Sequence, residues 1–117
     1  MSSNQQLLKG SLSVIILRLL EEQERMYGYE ITQKVKALTA GEMTITEGAL
    51  YPALHKLEAE GLLTTETQVV EGRARKYYSL TKEGHTEAVS RISELGVMLE
   101  NLQRLLNRGL DPLKPAI

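Results

Sequence analysis

The sequence predicts a mainly α domain with a small β-hairpin, continued by a long C-terminal helix. Three observations in the 117 residues predict it. Within ITEGALYPALHKLEAEGLL, Ile45 to Leu63, Leu50, Leu54 and Leu57 recur at spacings of four and three and define one inward helical face, with Ala53 beside them. After Gly61, LLTTETQVV, a short Glu71-Gly72 turn and ARKYYSL read as two strands. From Thr81 onward, Ile92, Leu95, Leu99, Leu102 and Leu106 follow the alternating three-four spacing of a coiled-coil seam.

This length suits one compact domain with a modest core, or a small domain plus a projecting helix. With no cysteine, disulfides, thiolate catalysis and cysteine-ligated zinc are excluded, in keeping with a reducing cytoplasm. The start, MSSNQQLLKG, lacks the basic-then-apolar pattern of a signal peptide. The apolar stretch Leu12 to Leu20 contains Ser13 and Arg18 and is too short to span a bilayer. A soluble cytoplasmic protein with no membrane partner is expected. Net charge is -1, from 14 basic and 15 acidic residues, so any case for nucleic acid rests on where the charges sit.

Taken in order, residues 1–6 are polar and read as a frayed end. From Leu7 to about Gln23 the apolar residues lie almost all round a helix, which makes it a central one covered by its neighbours. Gly28 breaks that pattern, and Ile31, Val35 and Leu38 set a second, short helix from Gly28 to Leu38. Thr39, Ala40, Gly41 and Glu42 connect it to the third helix, with Met43 and Ile45 as anchors. Two short helices with a glycine-containing connector have helix-turn-helix proportions, although most such pairs bind nothing.

The third helix, 46–60, is capped by Thr46 and ended by Gly61. Its outward face is centred on Gly48, Tyr51, Pro52 and His55 in place of the usual Glu/Lys mixture, and this face is read as DNA-facing. Pro52 lies past the cap, where proline costs about 3 kcal/mol in an ordinary helix interior. Either a tight turn precedes a helix that starts at Pro52, or one continuous, slightly bent helix absorbs the proline. The continuous helix is expected, because locally costly choices concentrate at functional sites.

The hairpin carries Arg73, Arg75 and Lys76, three positive charges within four residues. A helix-turn-helix followed by a basic-tipped hairpin is a winged helix, and such a tip suits backbone phosphate. Taken alone, a charged hairpin is more often simply solvated. The five tyrosines, at 27, 29, 51, 77 and 78, fall in these same segments, though a tyrosine is as readily a core-edge residue. In the final helix Ala88 continues the seam upstream, and Val89, Met98 and Leu105 widen it. Two to three heptads are marginal for a lone coiled coil, so the first helix of a partner is expected to supply further burial in a homodimer. The alternative is a helix folded back over its own domain. The expected division is 7–80 for the winged helix-turn-helix, 81–110 for the dimerisation helix and 111–117 for a tail, DPLKPAI, whose prolines end the helix.

Gly-Tyr-Glu-Ile at 28–31, Leu-Tyr-Pro-Ala-Leu at 50–54, Leu-Glu-x-Glu-Gly-Leu at 57–62 and Lys-Tyr-Tyr-x-Leu-Thr at 76–81 occur in one order. Over about residues 7 to 85 the chain resembles the PadR family of bacterial transcriptional regulators, in its compact subgroup with a single C-terminal helix. The resemblance implies a winged-helix homodimer that binds operator DNA, usually as a repressor. By position it places Thr46, Gly48, Tyr51 and His55 on the recognition helix with Lys56 at its flank. Arg73, Arg75 and Lys76 fall in the wing, and Tyr29 and Tyr78 near DNA or at the core edge. Ile92, Leu95, Leu99, Leu102 and Leu106 are assigned to the dimer interface. Some compact members bind flat aromatic drugs between tryptophans at the dimer centre. This chain has no tryptophan, so the resemblance stops short of that site.

The expected partners are double-stranded DNA and a second copy of the chain, with a small-molecule effector left open and no cofactor. An enzyme is not expected. The only aspartate is Asp111, the only histidines are His55 and His85, and no metal-ligand spacing, nucleophile motif or phosphate loop occurs. The nearest rival is a winged-helix module that docks on protein, and an RNA-binding winged helix is a third. A protein-docking wing does not require Arg73, Arg75 and Lys76.

Overall fold

A computed structural model describes residues 3–108, with side chains described from residue 10 onward. Its elements are α1 (Ser3–Glu22), β1 (Met26–Tyr27), α2 (Gly28–Leu38), α3 (Glu47–Ala59), β2 (Leu63–Val70), β3 (Arg73–Leu80) and α4 (Lys82–Leu106). The fold is mainly helical with one antiparallel sheet, and it is a winged helix. None of the described helices is long and apolar enough to cross a membrane. Residues 3–6, expected to fray, are instead the first turn of α1. The expected hairpin is present as β2 and β3, and β1 extends it to a three-stranded sheet ordered β1-β3-β2, because Met26 pairs with Tyr78 and Tyr27 with Tyr77.

α1 is central, as its all-round apolar pattern implies. Ile16, Leu17 and Leu20 meet Ile31 of α2 and Leu50, Leu54 and Leu57 of α3 in one buried cluster. Leu54 is fully enclosed there. Leu54→Ala is expected to destabilise the protein by about 2–5 kcal/mol, through reduced burial and the cavity left behind. A urea titration showing a change well under that range would displace Leu54 from the centre of the core.

α3 runs through Pro52 without interruption. At its start the Thr46 hydroxyl accepts a hydrogen bond from the Ala49 amide at 3.2 Å. The proline removes the donor that would meet the Gly48 carbonyl. Both residues lie on the exposed side, where water can serve that carbonyl instead. The helix ends as its glycine predicts. Gly61 has φ +79°, and the amides of Gly61 and Leu62 donate back to Glu58 O at 2.9 Å and Leu57 O at 3.0 Å. The β2–β3 turn has positive φ at both Glu71 (52°) and Gly72 (77°), as a two-residue type I′ hairpin turn requires.

The corner that follows ties β3 and α4 to the end of α3. Thr81 donates its amide to Leu62 O at 3.0 Å and its hydroxyl to Gly61 O at 2.7 Å. The same hydroxyl caps α4 by accepting from the Gly84 amide at 3.0 Å. Buried Gly84 lies so close to the Leu62 carbonyl that a Cβ would overlap it.

α4 divides into two halves, and this corrects the upstream end of the expected seam. Ala88 is fully buried in the protomer's own core and Ile92 packs against that core, while His85 Nδ1 meets Glu21 Oε1 of α1 at 2.9 Å. The first half of the helix thus lies on its own α1. Beyond half-buried Leu95 the stripe emerges, with Leu99 51%, Leu102 42% and Leu106 62% exposed. An apolar groove of 390 Å³ opens beside it between α1, the end of α2 and α4, lined among others by Ile15, Leu38, Met43 and Leu99. The helix ends at its Asn107 cap. The expected tail, with Pro112 and Pro115, lies outside the described residues.

Candidate nucleic-acid interface

The two faces of α3 separate as the leucine spacing predicts. Leu50, Leu54 and Leu57 are buried, and Thr46, Gly48, Tyr51, Pro52, His55 and Lys56 are exposed on the other side. The rings of Tyr51 and His55 lie tilted, with centroids 6.4 Å apart. Tyr51 leans toward the start of α2, with its hydroxyl beside Gly28. Tyr29, one residue further along α2, is exposed beside them.

The wing closes this region from the other side. A cleft of 280 Å³ lies where α2, α3 and β3 meet, and Tyr29, Tyr51, His55, Arg75 and Lys76 all line it. Residues far apart in sequence thus converge on one concave, partly basic surface. Arg73 sits beyond the cleft at the hairpin tip, paired across the turn with Val70, and has no ion pair among the described residues. Lys76 Nζ lies 3.8 Å from Glu58 Oε1, both side chains being partly exposed. Such a pair contributes little to stability and leaves the ammonium near solvent.

Tyr78 takes the core-edge place of its two expected ones: it is 1% exposed, and its ring is part of the core at the floor of the cleft that it also lines. Lys76 Nζ sits 5.5 Å from its ring centroid. Burial first, and the Glu58 carboxylate second, push the Tyr78 phenol above its usual value, so it stays neutral at physiological pH.

Because strand residues alternate, an inward Tyr78 turns Tyr77 and Arg75 to the outer face of the sheet. There they meet residues that had no assigned role in the sequence. Arg25 lies over the Tyr77 ring at 4.7 Å, Tyr77 meets Tyr27 edge-on at 5.4 Å, and Arg75 lies over the Tyr27 ring at 4.6 Å. Two cations thus bracket two rings, an arrangement that steers the Arg75 guanidinium at about 0.5–1 kcal/mol per exposed contact. The pKa of Arg75 is raised, chiefly by the hydrogen bond with the Tyr77 side chain, so the wing keeps this charge at any physiological pH. Adjacent tyrosines at 77 and 78 hinted at this face. Only the pairing with β1 shows which of the two points outward.

Glu30 fixes the approach to α2. Its carboxylate accepts from the Tyr27 amide at 3.2 Å and from the Gln23 side chain at 3.0 Å, which clamps the link between α1 and α2. The glutamate of the Gly-Tyr-Glu-Ile motif therefore has a structural task, and its glycine and tyrosine, Gly28 and Tyr29, border the cleft.

The chain is similar to known transcriptional regulators in sequence and fold. The transcriptional regulator Rv3488 of Mycobacterium tuberculosis is 44% identical over 59 residues, which are 50% of this chain and 52% of that protein. A transcriptional regulator from Clostridium thermocellum superposes with a TM-score of 0.74 at 29% identity, covering 93% of this chain and 99% of its own. Bacillus subtilis PadR, solved in complex with operator DNA, gives a TM-score of 0.63 at 30% identity over 69% of this chain and 46% of that one. Residues 16–90, which hold the helix pair, the wing and the first turns of α4, match the family described as transcriptional regulator PadR-like, and the chain belongs to that family.

Proposed function

We propose that the chain is a cytoplasmic homodimeric repressor that binds a pseudo-palindromic operator through α3 and the β2–β3 wing. The observation that carries this reading is the convergence of Tyr29, Tyr51, His55, Arg75 and Lys76 on one cleft between the helix pair and the wing. In this reading exposed Gly48 lets α3 approach the groove closely, while Thr46, Tyr51 and His55 offer hydrogen bonds to phosphate or base edges. Lys56, Arg73, Arg75 and Lys76 neutralise phosphates. Tyr78 supports the cleft from below.

The dimer reading rests on the emergent half of α4. Leu99, Leu102 and Leu106 are exposed beside an apolar groove, and the same leucines of a second copy supply apolar surface suited to it. A two-fold dimer sets the recognition helices in half-sites about 10 base pairs apart. An effector that changes the angle between the two α4 helices changes that spacing, which is a route for signal input.

The test is binding of the purified protein to DNA from upstream of its own gene and to random duplex, across a salt series. The expected result is tighter binding to the upstream fragment that weakens steeply with salt. Equal, weak and salt-insensitive binding to both would overturn the reading in favour of a protein-docking wing. Replacing Arg73, Arg75 and Lys76 together by alanine is expected to weaken binding to all sequences. It is also expected to flatten the plot of log affinity against log salt by about 0.9 for each phosphate no longer neutralised. An unchanged slope would show that the wing does not touch the backbone.

A further inference from the structure

We infer that Gly28 is a positioning residue for DNA recognition: lacking a side chain, it gives the Tyr51 ring a seat on the first turn of α2, and that seat fixes how Tyr51 is presented. The inference rests on the reading of α3 as the recognition helix.

Nothing in the backbone demands glycine at this position. The glycines in the left-handed region are 41, 61 and 72, and Gly28 is not among them. Gly28 opens α2 directly after β1, where alanine is the better helix former. Space is what demands it. A Cβ at Gly28 would lie 2.5 Å from the Tyr51 hydroxyl oxygen, 2.9 Å from Cζ and 3.1 Å from Cε1.

The three nearest atoms all belong to Tyr51, a side chain that can swing away. Tyr51 is 36% exposed, so a displaced ring has solvent to enter and the fold need not open. It cannot, however, keep its orientation over the cleft or its tilted contact with His55. Adding one methyl group on α2 therefore acts on α3 through Tyr51. Binding constellations need their side chains held within about 0.5 Å of the productive geometry.

The test is a double-mutant cycle on a duplex selected from a randomised pool by the unaltered protein. Affinity is read by fluorescence anisotropy and stability by thermal melting. Gly28→Ala is expected to weaken binding at least about tenfold while the melting midpoint holds; in the Tyr51→Ala background the same change is expected to cost under about twofold, because no ring remains to displace. Gly28→Ala that binds like the unaltered protein, or that weakens binding by the same factor in both backgrounds, overturns the inference. If Gly28→Ala lowers the midpoint, adding Tyr51→Ala is expected to restore it, and failure to do so also overturns the inference. An unaltered protein that selects no duplex overturns the DNA reading itself, a result distinct from any of these.

Discussion

Gly84→Ala is expected to be the most damaging single methyl group that can be added to this chain. Its Cβ would overlap the Leu62 carbonyl oxygen and press on the Leu80 side chain 3.3 Å away. The first obstacle is backbone, held in place because Leu62 O accepts from the Thr81 amide and Leu62 N donates to Leu57 O. Relief requires α4 to lift from the corner, which also strains the Thr81 cap on Gly84. Overpacking against a movable side chain costs about 1–3 kcal/mol, and removing a threonine cap about 1 kcal/mol. A loss of about 3 kcal/mol or more is expected. For a chain of this size that lowers the thermal midpoint by roughly 10–20 °C. Gly10→Ala is the control, since a Cβ there meets nothing within 4 Å among the described residues. In the interior of α1 it is expected to stabilise by about 0.5–1 kcal/mol. Equal midpoints for the two variants would show that the corner is not rigid.

Gly84 also shows where sequence reasoning stops. Periodicity reports which residues share a face, because it follows from the pitch of one helix. It predicts the buried side of α3, the exposed set from Thr46 to Lys56, the hairpin turn and the apolar stripe of α4. It carries no information on which distant segment a face meets. Gly28 reads as a break between helices and Gly84 as an ordinary position, because Tyr51 and Leu62, which explain them, come close only in the folded chain. β1 escapes notice for a different reason. Two residues are too few to show alternation, and without β1 the outward direction of Tyr77 and the inward direction of Tyr78 are undetermined. The basic residues of the wing are legible as a cluster. That Arg75 is held by Tyr27 and Tyr77, while Lys76 turns toward Glu58, is visible only in three dimensions.

The same limit governs the seam of α4 and leads to the second large expected effect. A three-four leucine pattern marks a stripe that must be covered without saying what covers it. α1 of the same chain covers Ala88 and Ile92, so Ile92→Glu is expected to unfold the protomer. Leu99 and Leu102 are left about half exposed. Leu99→Glu with Leu102→Glu is therefore expected to leave the protomer folded and to abolish the proposed dimer. Fully burying a leucine contributes about 1.5–3 kcal/mol, so two half-exposed leucines from each of two copies supply about 3–6 kcal/mol, a large part of the about 8 kcal/mol that a micromolar dimer requires. Carboxylates facing each other across the two-fold axis add repulsion to that loss. Sedimentation at micromolar concentration should then give a monomer with an unchanged melting transition. Binding to a palindromic duplex should fall by roughly 10²–10⁴, since each half-site must be occupied without the effective concentration that the dimer provides. A variant that still sediments as a dimer would move the interface away from the emergent half of α4, leaving the groove between α1, α2 and α4 without its proposed occupant.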